Sequence, residues 1–208
     1  MDDKDLKAQV HYYCREKLYH AMQSAALDGL RKYPGDATFH MYNGLSLVLG
    51  RRIQEGIREL EPLQSERDVV LGTILALMFA HRHSTVLDRE ALAELDSRLK
   101  DERKHAGEMA LYHGAVVLFH TGKPEKAREY VDRLLKANAN SPDGLVIKGW
   151  IEMSAGKEGK VKDILHYFSQ AWNTVLPRGI LMLYLEKFVF WSFRKTMKLQ
   201  LVFQTNWL

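Results

Sequence analysis

The chain has 208 residues, an apolar fraction of 46% and a charged fraction of 27%, which are ordinary for a soluble globular protein with a substantial core. Its one cysteine, Cys14, excludes an intrachain disulfide and a cysteine-based zinc site, and indicates a reducing, intracellular compartment. The formal net charge of +4 comes from Thr174–Leu208, where five bases accompany one acid. Because residues 1–173 are neutral overall, we expect no nucleic-acid binding.

Neither terminus predicts a targeting or membrane-spanning segment. Met1–Cys14 begins with acidic residues and lacks an apolar core, so it is not a signal peptide. The most apolar stretch, Ile180–Phe193, is interrupted by Glu186 and Lys187 and is shorter than the roughly 18 residues of a transmembrane helix. These features predict a cytoplasmic protein without a transmembrane segment.

The sequence repeats its pattern in five blocks. The blocks open near Asp3, Ala37, Leu71, Glu108 and Pro142. A period of about 34 residues with two helices per unit is typical of tetratricopeptide (TPR) repeats, whose helical hairpins bury their apolar faces by stacking. We therefore predict an all-α, TPR-like solenoid of about five hairpins. The predicted blocks lie near 3–36, 37–70, 71–107, 108–141 and 142–173.

The first three blocks match the repeat unevenly. The first, Asp3–Asp36, is degenerate, as is common for a terminal repeat that caps the array. In the second, Gly44 and Gly56 occupy positions 8 and 20, where small residues allow helices to approach closely. The third block gains three residues between His81 and Asp88, which predicts a looser turn.

The fourth and fifth blocks show the hairpin most clearly. Gly122 and Pro124 separate two apolar stripes of helical spacing, because glycine permits a turn and proline suits the first position of a helix. Ser141 is a favourable N-cap for the fifth block. About three extra residues within Lys157–Lys162 shift its second helix after a turn at Gly156.

Residues 174–208 are predicted to form an aromatic, basic tail that is mainly helical and departs from the repeat. Its aromatic residues are Tyr184, Phe188, Phe190, Trp191, Phe193, Phe203 and Trp207. Unless the tail docks, these side chains expose apolar surface, so we expect the isolated chain to be poorly soluble. We expect no membrane contact through the tail; the alternative is an amphipathic anchor, and equal vesicle flotation without Thr174–Leu208 would remove it.

No pattern in the sequence predicts catalysis or a metal centre. His81 and His83 are two residues apart and would point to different faces of a helix. His113 and His120 could share a face, but no carboxylate at i+3 or i+4 completes a ligand set. Nucleophile-elbow, Walker A and dinucleotide-binding motifs are missing from the sequence. We predict a non-enzymatic protein with no cofactor.

The candidate partner groove is formed by inner positions of the first helices, since positions 2, 5, 9 and 12 line the concave face of a TPR array. We select the residues Met41, Leu45, Leu75, Phe79, Arg82, Tyr112, Val116, Phe119, Trp150 and Met153. This lining is unusually apolar, and we hypothesise that it holds an amphipathic helix of a partner protein. The alternative is tight supercoiling, in which these side chains bury one another.

Several segments resemble a known family in matching order. They are HYYCREKLYH (His11–His20), LALMFAH (Leu75–His81), DREAL (Asp88–Leu92), ALYHG (Ala110–Gly114), KAREYVDRLLK (Lys126–Lys136), IKGW (Ile147–Trp150) and HYF (His166–Phe168). These segments closely resemble the N-terminal region of the tetratricopeptide repeat domain 21 family, the long TPR subunits of intraflagellar transport complex A. The resemblance runs from about Leu6 to Trp172.

The resemblance implies a non-enzymatic scaffold in retrograde transport along cilia. Its implied partners are the WD-repeat and TPR subunits of complex A, and its implied locations are the ciliary base and axoneme. Complex A is also associated with delivering membrane receptors into cilia through a tubby-like adaptor. The alternative is a free-standing TPR adaptor that binds an apolar peptide or helix.

The resemblance changes after Trp172, where the next repeat is not recognisable. Met197–Leu201 and Trp207 resemble a later family segment that is reached too early in this chain. Family members continue through many more repeats. We therefore expect a shortened isoform or an imperfect gene model.

Overall fold

The computed structural model describes residues 2–155 and 161–175, and all structural statements concern these residues. The helices are α1 (Asp3–Arg15), α2 (Tyr19–Lys32), α3 (Ala37–Leu49), α4 (Ile53–Leu60), α5 (Val70–His83), α6 (Arg89–His105), α7 (Glu108–His120), α8 (Pro124–Ala137), α9 (Pro142–Ser154) and α10 (Val161–Val175). A short 3-10 helix, Glu61–Ser65, follows α4. The predicted turn at Gly156 and all but the start of the predicted tail, 174–208, lie outside the described residues.

Successive helices pair into hairpins α1/α2, α3/α4, α5/α6 and α7/α8, and α9 contacts α10 through Trp150 and Phe168. Neighbouring hairpins pack on one another. The described residues contain helices and no strands, which confirms the predicted all-α solenoid. The first helices of the middle hairpins are buried on nearly all sides, and the second helices bury one stripe. For example, nine of the ten α3 residues from Phe39 to Val48 are buried, whereas α8 buries only four residues along its length.

Side-chain caps start several of these helices. The Asp2 carboxylate accepts a hydrogen bond from the Asp5 backbone N–H at 2.8 Å, and the Asp5 carboxylate reaches back to the Asp2 N–H. Asp36 and Asp88 cap α3 and α6 by accepting hydrogen bonds from the Thr38 and Ala91 backbone N–H groups. Ser141 lies at the N-cap of α9, and its Oγ accepts from the Gly144 N–H at 3.4 Å.

Polar contacts between neighbouring hairpins recur about 30 residues apart in sequence. The Gln54 side-chain amide donates to Ser84 Oγ at 3.1 Å, and Arg98 donates to the Gln64 backbone carbonyl at 2.9 Å. Further along, the Arg133 guanidinium on α8 donates to the Lys104 backbone carbonyl on α6 at 3.1 Å. Each contact links one hairpin to the next, so the stacking of the apolar faces is fixed at the surface as well as in the core.

A buried charge network joins the fourth and fifth hairpins. Lys148 on α9 lies 2.5 Å from Asp132 on α8 and 3.6 Å from Glu152, one turn further along its own helix. Glu152 also accepts from Arg128 at 2.8 Å. The side chains of Lys148 and Glu152 are 9% and 3% exposed, so each carboxylate or ammonium depends on its partners for compensation.

Candidate functional site on the inner face of the first helices

Most residues of the candidate partner groove are buried within the array. Six of them are almost fully enclosed: Met41, Leu45, Leu75, Tyr112, Val116 and Trp150. Phe79, Phe119 and Met153 are half-buried, and Arg82 is exposed. The accessible members therefore lie in the last turns of α5, α7 and α9, and the rest of the lining contacts other parts of the same chain.

The first helix covers the middle of this face. His11 on α1 places its Nε2 atom 3.3 Å from Tyr42 Oη on α3 and 3.2 Å from Tyr112 Oη on α7. Its ring meets Tyr42 edge to face, with centroids 4.9 Å apart. Two hydroxyls from different hairpins thus converge on one imidazole, which ties α1 to residues 31 and 101 positions away.

The first and fifth hairpins are also in contact. The Arg15 guanidinium, at the end of α1, lies 4.4 Å from the ring centroid of Trp150 on α9. Trp150 packs against Phe168 on α10, with centroids 5.6 Å apart. The array therefore closes on itself through α1. The six enclosed groove residues are buried within the chain, as the alternative of tight supercoiling predicts. A role for the groove in partner binding stays a proposal.

The histidines of this face are neutral at physiological pH. Burial, followed by the charges of His113, His120, Arg15 and Lys7, lowers the pKa of His11 to about 3. Burial and the nearby cations Arg15 and Lys17 lower the pKa of His120 to about 4. The pKa of His113 is also lowered, first by burial. A neutral imidazole between two tyrosines suits a structural hydrogen-bond relay rather than acid–base chemistry at neutral pH.

Other ionisable groups of the same face are equally unreactive. Burial raises the pKa of the Cys14 thiol to about 12, so the thiolate is scarce at neutral pH. Burial raises the pKa values of Tyr42 and Tyr112 well above the ordinary value. Among residues 2–155 and 161–175, no three His, Cys, Asp or Glu side chains come together as metal ligands. In the same residues, no helix combines the length and apolarity needed to cross a bilayer.

His11 and Arg15 were missing from the residues selected by sequence. Counting from Asp3, His11 is position 9 of the first block, an inner position by the rule applied to the later blocks. The rule could have found it, but the selection began with the second block. Arg15 falls outside the rule, and nothing in the local sequence indicates a contact with Trp150, 135 residues further on.

Comparison with known proteins places the chain in a family. A family model described as "Tetratricopeptide repeat protein 21 N-terminal ARM repeat" matches residues 10–197. The chain is 41% identical over 170 residues to Tetratricopeptide repeat protein 21B of Homo sapiens, a match that covers 82% of the chain. The chain belongs to the tetratricopeptide repeat protein 21 family. This confirms the resemblance seen in segments such as His11–His20 and Ile147–Trp150.

Within the tetratricopeptide repeat protein 21 family, similarity extends to more distant members. The chain is 37% identical over 169 residues to protein 21A of Mus musculus and 27% identical over 175 residues to the Caenorhabditis elegans homologue, which cover 81% and 83% of the chain. The chain spans 13% of the length of each of these relatives. The family model continues past Trp172, where the residue-by-residue resemblance was expected to end.

Proposed function

We propose that the chain acts as the N-terminal part of a scaffold subunit of intraflagellar transport complex A, in retrograde ciliary transport and ciliary protein trafficking. The observation that carries this proposal is the 41% identity over 82% of the chain to Tetratricopeptide repeat protein 21B. Membership of a helical-repeat family supports a scaffold that works through protein contacts, and the similarity to protein 21B supports the proposed place in cilia. The ciliary base and axoneme are the proposed locations.

The mode of action proposed is non-enzymatic contact with WD-repeat and TPR subunits. Repeat arrays present an extended surface that suits this purpose, since each hairpin adds a similar set of side chains to the next. The neutral state of His11 and His120 and the protonated thiol of Cys14 favour structure over chemistry on the inner face. We propose that Phe79, Phe119 and Met153, which are half-buried, provide the accessible part of the partner groove.

Co-purification of the tagged chain from ciliated cells, with the recovered proteins identified by mass spectrometry, tests this proposal. We expect WD-repeat and TPR subunits of complex A among the recovered proteins. A control variant, Gly56→Val, should no longer recover these subunits. Gly56 on α4 lies so close to α3 that there is no room for a side chain, and valine there would disrupt the packing of the two helices. Recovery of the same proteins by the wild-type chain and by an unrelated helical-repeat protein would refute the proposal.

A further inference from the structure

The second helix of the third hairpin, α6, is the least buried of the described α-helices. Leu95 is the one buried residue among its 17, whereas α8 buries four of its 14 residues. α2 packs on α3, α4 on α5 and α8 on α9, but within the described part of the chain α6 packs extensively on α5 alone. α7 packs directly on α5, so the stack of first helices does not depend on α6.

Both ends of α6 are joined to the array by linkers that lack backbone hydrogen bonds. Every N–H group of the turns 16–18, 50–52 and 121–123 donates to a carbonyl of the helix before it, which ties the second helix of those hairpins to the first. By contrast, within the described residues, the N–H groups of 85–88 and of 106–107 donate to no backbone carbonyl. The first of these linkers lies where the third block gains its three residues. The linkers therefore do not fix the position of α6.

Two arginine contacts hold α6 against the neighbouring hairpins. Arg98 on α6 donates to the Gln64 side-chain oxygen at 2.8 Å and to the Gln64 backbone carbonyl at 2.9 Å. Arg133 on α8 donates to the carbonyls of Arg103 and, at 3.1 Å, of Lys104. These two carbonyls lie in the last turn of α6, where a helix has no acceptor partners of its own. The attachment of α6 to its neighbours therefore depends on a small number of polar contacts.

The last turn of α6 also covers an aromatic side chain of α8. The Arg103 guanidinium lies 5.1 Å from the ring centroid of Tyr130, which is 4% exposed. A Cβ atom at Gly114 on α7 would lie 2.9 Å from Tyr130 Cε1, so the same ring packs against α7. Release of α6 would expose Tyr130 and the site on which Leu95 packs, and this apolar surface is covered while α6 is in place.

A structural explanation is that α6 is simply an outer helix with a polar sequence. However, α2, α4 and α8 are outer helices too, and each of them buries at least three residues. α4 does so within a length of only eight residues. The weak attachment of α6 is therefore specific to the third hairpin. Few buried apolar contacts are typical of segments that open locally while the rest of the protein stays folded.

We propose that α6 is a strap that opens as a unit about the linkers 85–88 and 106–107, while the first helices stay stacked. Arg98 and Arg133 hold the strap closed, and its opening exposes the apolar surface around Tyr130. A released helix of 17 residues is marginally stable in water, so α6 loses its backbone hydrogen bonds when it opens. This inference concerns the chain alone and does not rest on the proposed function.

Hydrogen–deuterium exchange of the full chain, followed by mass spectrometry, tests whether α6 opens by itself. We expect the amides of α6 to exchange about 100-fold faster than the most protected amides of α5 and α7. Exchange of α6 at the same rate as α5 and α7 would overturn the proposal, because α6 would then open only when the whole array unfolds.

The variant Gly56→Ala separates the opening of α6 from global unfolding. Gly56 lies on α4 against α3, and the variant should speed the exchange of amides that depend on global unfolding about thirtyfold. The amides of α6 should stay within about twofold of their wild-type rates, because opening of the strap does not break the contact of α3 with α4. Equal acceleration of α6 and the most protected helices would overturn the proposal.

The variant Arg133→Gln tests whether this side chain holds the strap closed. It removes the contact with two carbonyls of α6 and should speed the exchange of α6 about tenfold. The matched control, Arg31→Gln, removes an arginine whose ion pair with Asp28 lies within α2, and it should leave α6 exchange within about twofold of the wild-type rate. Unchanged exchange of α6 in Arg133→Gln would overturn the proposal, as would equal acceleration in the control.

Discussion

The contact between α3 and α4 allows a test of how closely the solenoid is packed. Gly56 on α4 lies against α3 so tightly that a Cβ atom there would be 2.5 Å from Val48 Cγ2. It would also lie 3.1 Å from the Gly44 carbonyl oxygen and 3.1 Å from the Val48 backbone nitrogen. Two of these three neighbours are backbone atoms, so the substitution Gly56→Ala cannot be accommodated by a side-chain rotation alone.

The expected loss of stability follows from two opposing effects. Alanine in a helix interior is favoured over glycine by about 1 kcal/mol. Overpacking of a well-packed core costs about 1–3 kcal/mol, and the upper end applies here because Val48 is held to one rotamer on its helix and the other neighbours are backbone. We therefore expect Gly56→Ala to lower the free energy of unfolding by about 2 kcal/mol.

Urea unfolding followed by circular dichroism provides the measurement. With a denaturant dependence of about 3 kcal/mol per molar, a 2 kcal/mol loss lowers the midpoint by about 0.7 M. The control is Gly35→Ala, which makes the same chemical change at a position with no atom within 4 Å of the added Cβ. We expect that variant to be stabilised by about 0.5 kcal/mol. Gly56→Ala as stable as the wild-type chain would refute the close approach of α3 and α4.

Three further predictions concern charge, pH and turn geometry. Glu152→Ala leaves Arg128 and Lys148 without a buried carboxylate and should lower the free energy of unfolding by about 3 kcal/mol. Glu125→Ala removes the exposed partner of Arg128 and should lower it by less than about 1 kcal/mol. Equal losses for the two variants in urea titrations would contradict the buried network. Because the folded pKa values of His11 and His120, about 3 and about 4, lie below the unfolded value near 6.5, the unfolded chain binds more protons in that window. The stability contributed by these neutral histidines should be fully present above about pH 6.5 and should fall as the pH drops toward 4. Urea midpoints measured across this pH range should fall less steeply in the variant His120→Gln than in the wild-type chain. An unchanged slope would count against the burial of His120. Gly122→Ala places a Cβ at φ 80° and should lower stability by about 1 kcal/mol in thermal and urea unfolding, whereas no loss would show that this turn relaxes to another conformation.

Local signals explain why the fold could be predicted from the sequence. Gly122 and Pro124 predict a turn because one accepts a positive φ and the other lacks an N–H, and the structure has α7 end at His120 and α8 begin at Pro124. Ser141 at the start of α9 acts through its own hydroxyl within three residues. Such features depend on chemistry within one turn of the chain, which the sequence displays directly.

The turns at Lys17 and Arg51 show where local signals are weaker. Both residues adopt the conformation that Gly122 adopts, but a lysine and an arginine give no sign of a positive φ. The surrounding hydrogen bonds, Leu18 to Tyr13 and Arg52 to Leu47, impose it. Stacking of neighbouring hairpins fixes these turns more strongly than the preference of the residue itself.

The accessibility of the inner face depends on the curvature of the whole array, which no local sequence pattern contains. Whether Tyr112 lies open to a partner or beneath another helix depends on how far the hairpins curve over 101 residues of sequence. The apolar character of its neighbours is compatible with both outcomes, and the sequence left both open. The contact of His11 with Tyr112 arises only once the first four hairpins are stacked.

Closure of the array by α1 determines which residues of the inner face stay accessible to a partner. The contact of the Arg15 guanidinium with Trp150, at 4.4 Å, is the most distant link in sequence that supports it. A double-mutant cycle with Arg15→Met and Trp150→Leu, measured by urea unfolding, tests that link directly. We predict a coupling free energy of about 1 kcal/mol. Effects of the two substitutions that add to within about 0.3 kcal/mol would contradict closure of the array through α1.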